Sequence, residues 1–381
     1  MQHLSEVLRM IENGMRHNPQ GVQDYAQLLA DKLEGEGEGR QARAVRRSLE
    51  SSPASVGGAA LQTAPVDEDS KLNTLDRWVP AEQPDTLILP RIVVERLEDF
   101  VSGIREHDLW AAQGLAAPNR LLLVGPPGTG KTSLARQIAW DLQLPLLTTR
   151  SDTLVSSLLG STSKNIHRVF EYARSQPCVL FLDEFDALAK DRADAREVGE
   201  LQRIALALVQ NLDAFPASCV LVAATNHPQL LDPAIWRRFE VTIRIPLPNN
   251  RARGELWRSR LGRFAPGPKQ IDALVDASEG LSPATIERTA LDAMRLAISQ
   301  SIPTVSAAFV MRRLARATWV DRYDVFEDPP QEMRALRDWA PSVFSMRSLA
   351  GLFNVSTRQV SNALGSDDEP ESHHLGTLAG E

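Results

Sequence analysis

One octapeptide, Gly125-Pro-Pro-Gly-Thr-Gly-Lys-Thr132, sets narrow limits on what this chain of 381 residues can become. It directly follows an apolar run, Leu121-Leu-Leu-Val124, and opens a helical stretch from Ser133 to Leu142. Strand, glycine-rich turn and helix together form the context that a phosphate-binding loop requires. Glycines let the backbone bend until several N–H groups converge on phosphate oxygens. The helix N-terminus adds its positive dipole end. In such a loop Gly125, Pro126, Pro127, Gly128, Thr129 and Gly130 shape the turn. Lys131 supplies a mobile cation to the terminal phosphates, Thr132 offers a hydroxyl to Mg²⁺, and Ser133 continues the helix. Lys131 is one of only six lysines among 42 basic residues, an arginine excess that GC-rich coding explains.

A second element lies downstream, Val179-Leu-Phe-Leu-Asp-Glu-Phe-Asp186. A hydrophobic strand ending in paired carboxylates puts Asp183 beside the metal and Glu184 one residue on, facing the attacking water. Phosphoryl transfer is mostly positioning and charge neutralisation, so one carboxylate for each task is a sufficient set. On its own such a strand end is common; after a phosphate loop it is much more specific.

Composition excludes several classes. Forty-two basic against 49 acidic residues give a net charge of −7, unsuited to coating a polyanion. Hydrophobic residues at 43% and charged residues at 24% leave ample apolar mass for a core. No apolar run approaches the ~20 residues that span a bilayer, and the first residues lack the apolar segment of a secretory signal. Two cysteines, Cys178 and Cys219, exclude a disulfide framework and a thiolate metal site. A cytoplasmic location with no membrane partner is the expectation.

The expected fold is α/β. Leu121–Val124, Val179–Leu182 and Val220–Ala224 are short buried runs between helical stretches, the pattern of a parallel sheet covered by helices. Residues 1–50 read as a small helical module, with Leu4, Val7, Leu8 and Ile11 on one stripe and Val22, Tyr25, Leu28, Leu29 and Leu33 on another. Two readings stand for it, a docking module for a protein substrate or adaptor and a small bundle leaning on the main domain. Residues 51–80 read as a flexible linker rich in Ser, Ala, Gly and Pro. Residues 366–381 read as a disordered acidic tail.

With these motifs the chain resembles the AAA ATPases over roughly residues 81–320, and within them the protein-remodelling branch that includes ESCRT-disassembly and microtubule-severing enzymes. The resemblance implies ATP and Mg²⁺ as ligands and a homo-oligomeric ring, a hexamer. It divides the chain into a large P-loop nucleotide-binding domain at 81–248, an all-α lid at 249–325 and a small C-terminal helical unit at 326–365. Leu221-Val-Ala-Ala-Thr-Asn226 is similar to the strand carrying the sensor asparagine, which gives Asn226 the γ-phosphate or the lytic water. Leu231-Asp-Pro-Ala-Ile-Trp-Arg-Arg-Phe239 is similar to the segment ending in two arginine fingers, so Arg237 and Arg238 would reach a neighbouring subunit's nucleotide. The alternative is pairing with Glu240 or the sheet edge. Gly280 and Ala284 fall where the lid approaches the nucleotide, and Asp85–Ile88 falls near the adenine. Leu158, Leu159 and Gly160 align with the central-pore loop, with leucine where an aromatic residue is usual; Arg192 and Arg196 fall near a second pore loop.

Residues 346–364 resemble a helix-turn-helix. Ala350 lets two helices cross, Asn354 suits the left-handed turn position, Val355 and Val360 plug the corner, and Ser356 or Thr357 caps the second helix. Arg358, Gln359 and Asn362 would then face outward, where such side chains read base edges. Arg358 is the lone basic residue of that helix, and Asp367–Glu371 is acidic. DNA contact and protein contact both stay open. The expected function is ATP hydrolysis coupled to remodelling of a protein substrate. Two other readings are a DNA-associated regulator and the ATPase partner of a separate protease.

Overall fold

The structure, a computed structural model, describes residues 3–15, 19–51, 74–149, 161–186, 198–216, 219–319, 326 and 328–365. Leu158, Leu159, Gly160, Arg192, Arg196, most of the expected linker and the tail at 366–381 lie outside them. The chain divides into two compact units, residues 1–247 and 248–381.

The first unit is built on six strands: β1 Leu75–Trp78, β2 Arg120–Val124, β3 Leu146–Thr149, β4 Val179–Leu182, β5 Val220–Thr225 and β6 Val241–Arg244. Their order across the sheet is β1-β3-β4-β5-β2-β6. β2 runs parallel to β5 and β6, and β3, β4 and β5 are parallel neighbours. β1 departs from an all-parallel sheet, pairing antiparallel with β3 at the edge. It also lies inside 51–80, so the last part of that segment is sheet and not linker.

Side chains alternate along the three central strands, and both faces are covered. Leu122, Val124, Leu180, Leu182, Leu221 and Ala223 pack against the helices Ser161–Arg174 and Val198–Asp213. Leu121, Leu123, Val179, Phe181, Val220 and Val222 pack against Arg91–Arg105 and Lys131–Leu142. Burying each of these Leu, Val and Phe side chains contributes roughly 1.5–3 kcal/mol. This explains why these strands read as continuous apolar runs. Cys178 and Cys219 are reduced thiols buried on the first of these faces, and burial pushes the Cys178 thiol up.

The helices Leu4–Met15, Pro19–Gly35 and Gly39–Ser51 share a small core of Leu29, Leu33 and Ala42, with Val7, Met10 and Val45 against it. The expected stripe on the first helix is corrected in part. Leu8 and Ile11 are 51% and 53% exposed, whereas Glu6 and Arg9 are buried. This helix turns its charged side chains toward the sheet: Arg9 Nη2 donates to Cys219 Sγ at 3.8 Å, and Glu6 pairs with Lys32. A cavity lined by Glu6, Arg9, Tyr25, Asn119, Cys178 and Val220 lies there, at the amino ends of β2, β4 and β5.

The second unit is all-helical. Asn249, Ser282, Ser306, Asp328 and Ser345 each cap a helix through a side-chain oxygen. Trp257 is buried and donates from Nε1 to Leu274 O and Ser278 Oγ. Arg312, on the helix Ala307–Thr318, forks onto Glu332 with two bonds of 2.8 Å, donates to Leu352 O and lies 3.8 Å over the Phe353 ring. One guanidinium thereby joins three helices.

Burial pushes the Glu332 carboxyl up, but hydrogen bonds and charge from Arg312 and then Arg316 outweigh it, so its pKa lies below the ordinary value. A depressed carboxylate contributes stability above its unfolded pKa of about 4.3 and loses it as pH falls through the lower folded value. Glu332→Gln is therefore expected to melt earlier than the wild type at neutral pH, with the difference closing in acid. Thermal melts across that range check this.

The segment 346–365 forms two helices, Met346–Phe353 and Thr357–Gly365. Asn354 ends the first in the left-handed region at φ 54°, and Val360 is buried. Ser356 and Gln359 make a capping box. Gln359 N donates to Ser356 Oγ, while Gln359 Oε1 accepts from Ser356 N at 2.9 Å. Gln359 is exposed, with its Oε1 engaged by Ser356 at the start of the helix. Arg358 and Asn362 are exposed.

Candidate active site

β2 ends at the topological switch of the sheet, with β5 on one side and β6 on the other, where open α/β folds bind ligands. The loop 125–130 leaves it there. Gly125 is required by packing, because a Cβ at this position would overlap the carbonyl oxygen of Ile245. Gly130 is required by conformation: at φ 95° it caps the helix Lys131–Leu142 in a region that side chains rarely enter. Thr129 Oγ1 pins the turn by donating to Pro126 O at 2.9 Å. Pro126, Pro127 and Gly128 form its exposed crest. Leu87 lies 3.6 Å from a Cβ built on Gly130, which brings the segment Asp85–Ile88 beside the loop.

Lys131 is buried and curls back over the turn. Its Nζ donates to Gly125 O at 2.8 Å, to Pro126 O at 2.9 Å and to Asn226 Oδ1 at 2.6 Å. Burial pulls its pKa below the ordinary lysine value, and the charges of Asp183 and then Asp186 oppose that shift. Thr132 Oγ1 donates to Asp183 Oδ2 at 2.9 Å, and Ser133 is exposed on the same first turn. Two hard oxygen donors therefore meet at the end of β4. Mg²⁺ commonly takes one or two protein oxygens and completes its shell with water and phosphate, so this pair fits it. Among the described residues no cluster of three or more His, Cys, Asp or Glu could hold a metal by itself.

Glu184 follows Asp183 in the left-handed region, at φ 48°, with its N–H donated to Asp183 Oδ1 at 2.9 Å. A non-glycine residue held there is uncommon, and such strain clusters at functional sites. The next side chain, Phe185, is buried edge-on against Phe239 at 5.6 Å and anchors the turn in the core. Lys131, Thr132, Asp183, Glu184 and Asn226, read separately along the sequence, thus gather at the carboxyl ends of β2, β4 and β5.

The two arginines differ. Arg238 is held at home: its Nε and Nη2 donate to Asp213 at 3.0 and 3.2 Å, and Nη1 donates to Ala234 O. The hydrogen bond from Arg238 holds the Asp213 carboxyl below its usual range. Glu240, the acid considered for these arginines, is taken by Arg120 and by the amides of Asn119 and Arg120. Arg237 donates its backbone N–H to Pro233 O at 3.2 Å, while its exposed side chain has no hydrogen bond or ion pair to a described residue. The helix before it, Pro233–Trp236, is fixed by Asp232, which accepts from Ala234 N at 2.6 Å. Gly280, at φ 74°, and Ala284, exposed at the start of the helix Pro283–Ser299, belong to the second unit.

Sequence reading missed one contact in this cluster, the 2.7 Å hydrogen bond from Thr225 Oγ1 to Asp186 Oδ1. Its signal is faint, a carboxylate two residues after Glu184 and a hydroxyl one residue before Asn226.

Residues 121–247 match the profile of the ATPase family associated with various cellular activities (AAA). An uncharacterized AAA family ATPase of Sinorhizobium fredii is 35% identical over 277 residues, which are 72% of this chain and 83% of that protein. A cell division cycle protein 48 homolog of Archaeoglobus fulgidus is 35% identical over 214 residues, 55% of this chain and 29% of that protein. A proteasome-activating nucleotidase of Aeropyrum pernix is 36% identical over 208 residues, 52% of this chain and 51% of that protein. The chain thus spans about half or less of the last two. No described helix is long and apolar enough to cross a membrane. Glycine-rich loop, paired carboxylates, the asparagine after β5 and these likenesses converge: the chain belongs to the AAA ATPases and is an ATP hydrolase.

Proposed function

We propose that this ATPase works as a homo-oligomeric ring, a hexamer, and couples ATP hydrolysis to the remodelling or unfolding of a protein substrate. The observation that carries the reading is the gathering of Lys131, Thr132, Asp183, Glu184 and Asn226 beside a switch-point loop, together with an exposed Arg237 whose guanidinium has no partner among the described residues. Backbone amides of residues 125–132 receive the phosphates, and Lys131 exchanges its carbonyl partners for phosphate oxygens. Thr132 and Asp183 hold Mg²⁺, which when bound neutralises charge on the phosphates. Glu184 orients the attacking water and takes its proton, and Asn226 donates its amide to the γ-phosphate. Arg237 completes a neighbouring subunit's site, with Arg238 holding the segment behind it. Leu158, Leu159 and Gly160, outside the described residues, act on the substrate, and the N-terminal module recruits the substrate or an adaptor.

The likeness to a proteasome-activating nucleotidase and a cell division cycle protein 48 homolog supports a protein substrate over DNA. The helix Thr357–Gly365 gives DNA little to meet: Gln359 is engaged with Ser356, and Arg358 is its one basic residue. ATP turnover by the full chain is expected to rise severalfold with an unfolded polypeptide such as reduced lactalbumin, and not with duplex DNA. Sedimentation with ATP should give a ring-sized species. A monomer unresponsive to polypeptide contradicts the proposal; a response to DNA alone favours the regulator reading.

A further inference from the structure

Thr225 is the last residue of β5 and is fully buried; Asp186 stands two residues past Glu184, in the segment that follows β4. The Thr225 hydroxyl donates to Asp186 Oδ1 at 2.7 Å and accepts from His227 N at 3.0 Å. The same hydroxyl therefore ties down both sides of Asn226 and the far side of the Glu184 turn. Asn226 in turn receives Lys131 Nζ at 2.6 Å. On the carboxyl side of the Glu184 turn, Phe185 is buried against Phe239 and Asp186 accepts from Thr225.

We propose that Asp186 and Thr225 are positioning residues for hydrolysis: their hydrogen bond fixes the separation between Glu184 and Asn226. The proposal rests on the assignment of Glu184 to the water and Asn226 to the γ-phosphate. Neither positioning residue touches the reacting atoms. Each acts by keeping two groups on separate strands in register, where a misplacement of about 1 Å can cost about 10²-fold in rate. The buried geometry suits that task. Thr225 uses its hydroxyl as donor and acceptor at once, so it cannot swing without leaving a buried polar group unsatisfied. Asp186 also holds negative charge near Lys131, opposing the effect of burial on that ammonium.

The test compares kcat, ATP affinity and thermal melting for Thr225→Val, Thr225→Ser, Asp186→Ala and the double variant Thr225→Val/Asp186→Ala. Glu184→Gln is measured alongside. Thr225→Val keeps the side-chain volume and removes the hydroxyl. It is expected to lower kcat about 10- to 100-fold with ATP affinity within about twofold. Thr225→Ser should restore most of that loss, and the double variant should be no slower than the slower single, as for partners in one interaction. Asp186 is only half-buried, so Asp186→Ala gives the same reading should the strand variant fold poorly.

The proposal is overturned if both single variants turn over ATP at the wild-type rate, if their losses multiply in the double variant, or if affinity falls as much as kcat. Inactive Glu184→Gln beside fully active Thr225→Val overturns the brace alone. Fully active Glu184→Gln removes the assignment on which the brace rests, and the brace with it.

Discussion

Glu184→Gln is expected to lower ATP turnover by about 10²–10⁴-fold while nucleotide affinity stays near wild type. The size follows from what the substitution removes. Glutamine has the same length and fills the same space, but it cannot accept the proton that the water gives up. The turn that presents residue 184 is set by main-chain features that survive the change: the N–H donated to Asp183, the buried Phe185 beyond it and the left-handed backbone. Groups assigned to phosphate and metal, Lys131 and the Thr132–Asp183 pair, are untouched. Phosphate release and equilibrium nucleotide binding measured on one preparation separate the two effects. A rate within about twofold of wild type would remove Glu184 from catalysis. Equal loss of rate and affinity would make it a structural residue.

The second large effect is expected at Arg237. Its guanidinium is exposed and has no partner among the described residues, whereas Arg238 is forked onto Asp213 and bound to Ala234 O. A finger must be free to reach a neighbour's nucleotide; a clamped arginine serves the chain that carries it. Arg237→Ala should therefore lose about 10³–10⁵-fold in rate, as in other nucleotidases that complete their site with an arginine. Arg238→Ala should lose less and should lower the melting temperature, because Asp213 and the end of the helix Pro233–Trp236 lose their tie. Catalysis in trans has a distinctive signature in mixed assemblies. Arg237→Ala and Glu184→Gln subunits, each inactive alone, should recover activity together, since one interface then pairs an intact Glu184 with an intact Arg237. Mixed rings that stay inactive would contradict the assignment.

The parts of this fold that could be read in advance are those whose cause is local. The phosphate loop is written in glycines that must bend and a lysine that must reach, and β2, β4 and β5 are apolar because both their faces are covered. The edges were not legible. β1 has one fully buried residue, Leu75, and β6 has one, Ile243, so neither shows a buried run. The face that the first helix buries is decided by what it docks against: Glu6 and Arg9 turn to the sheet, and Leu8 and Ile11 are left in solvent. Periodicity finds an amphipathic helix but does not say which stripe is covered. The clamp on Arg238 comes from Asp213, on another helix, and the brace from Thr225 to Asp186 needs two strands to be neighbours. The start of the helix Thr357–Gly365 was legible as a hydroxyl cap at Ser356 or Thr357, whereas the return bond from Ser356 N to Gln359 Oε1 that completes the box went unread.

Calorimetric titration of ATP with Mg²⁺ into the full chain bears most directly on the site at the switch point of the sheet. A saturable heat at a single site is expected for wild type, and it should vanish in Lys131→Glu protein that circular dichroism shows to be folded. Folded protein that takes up no nucleotide, or undiminished uptake by Lys131→Glu, would mean that the turn between β2 and its helix is not where the triphosphate sits.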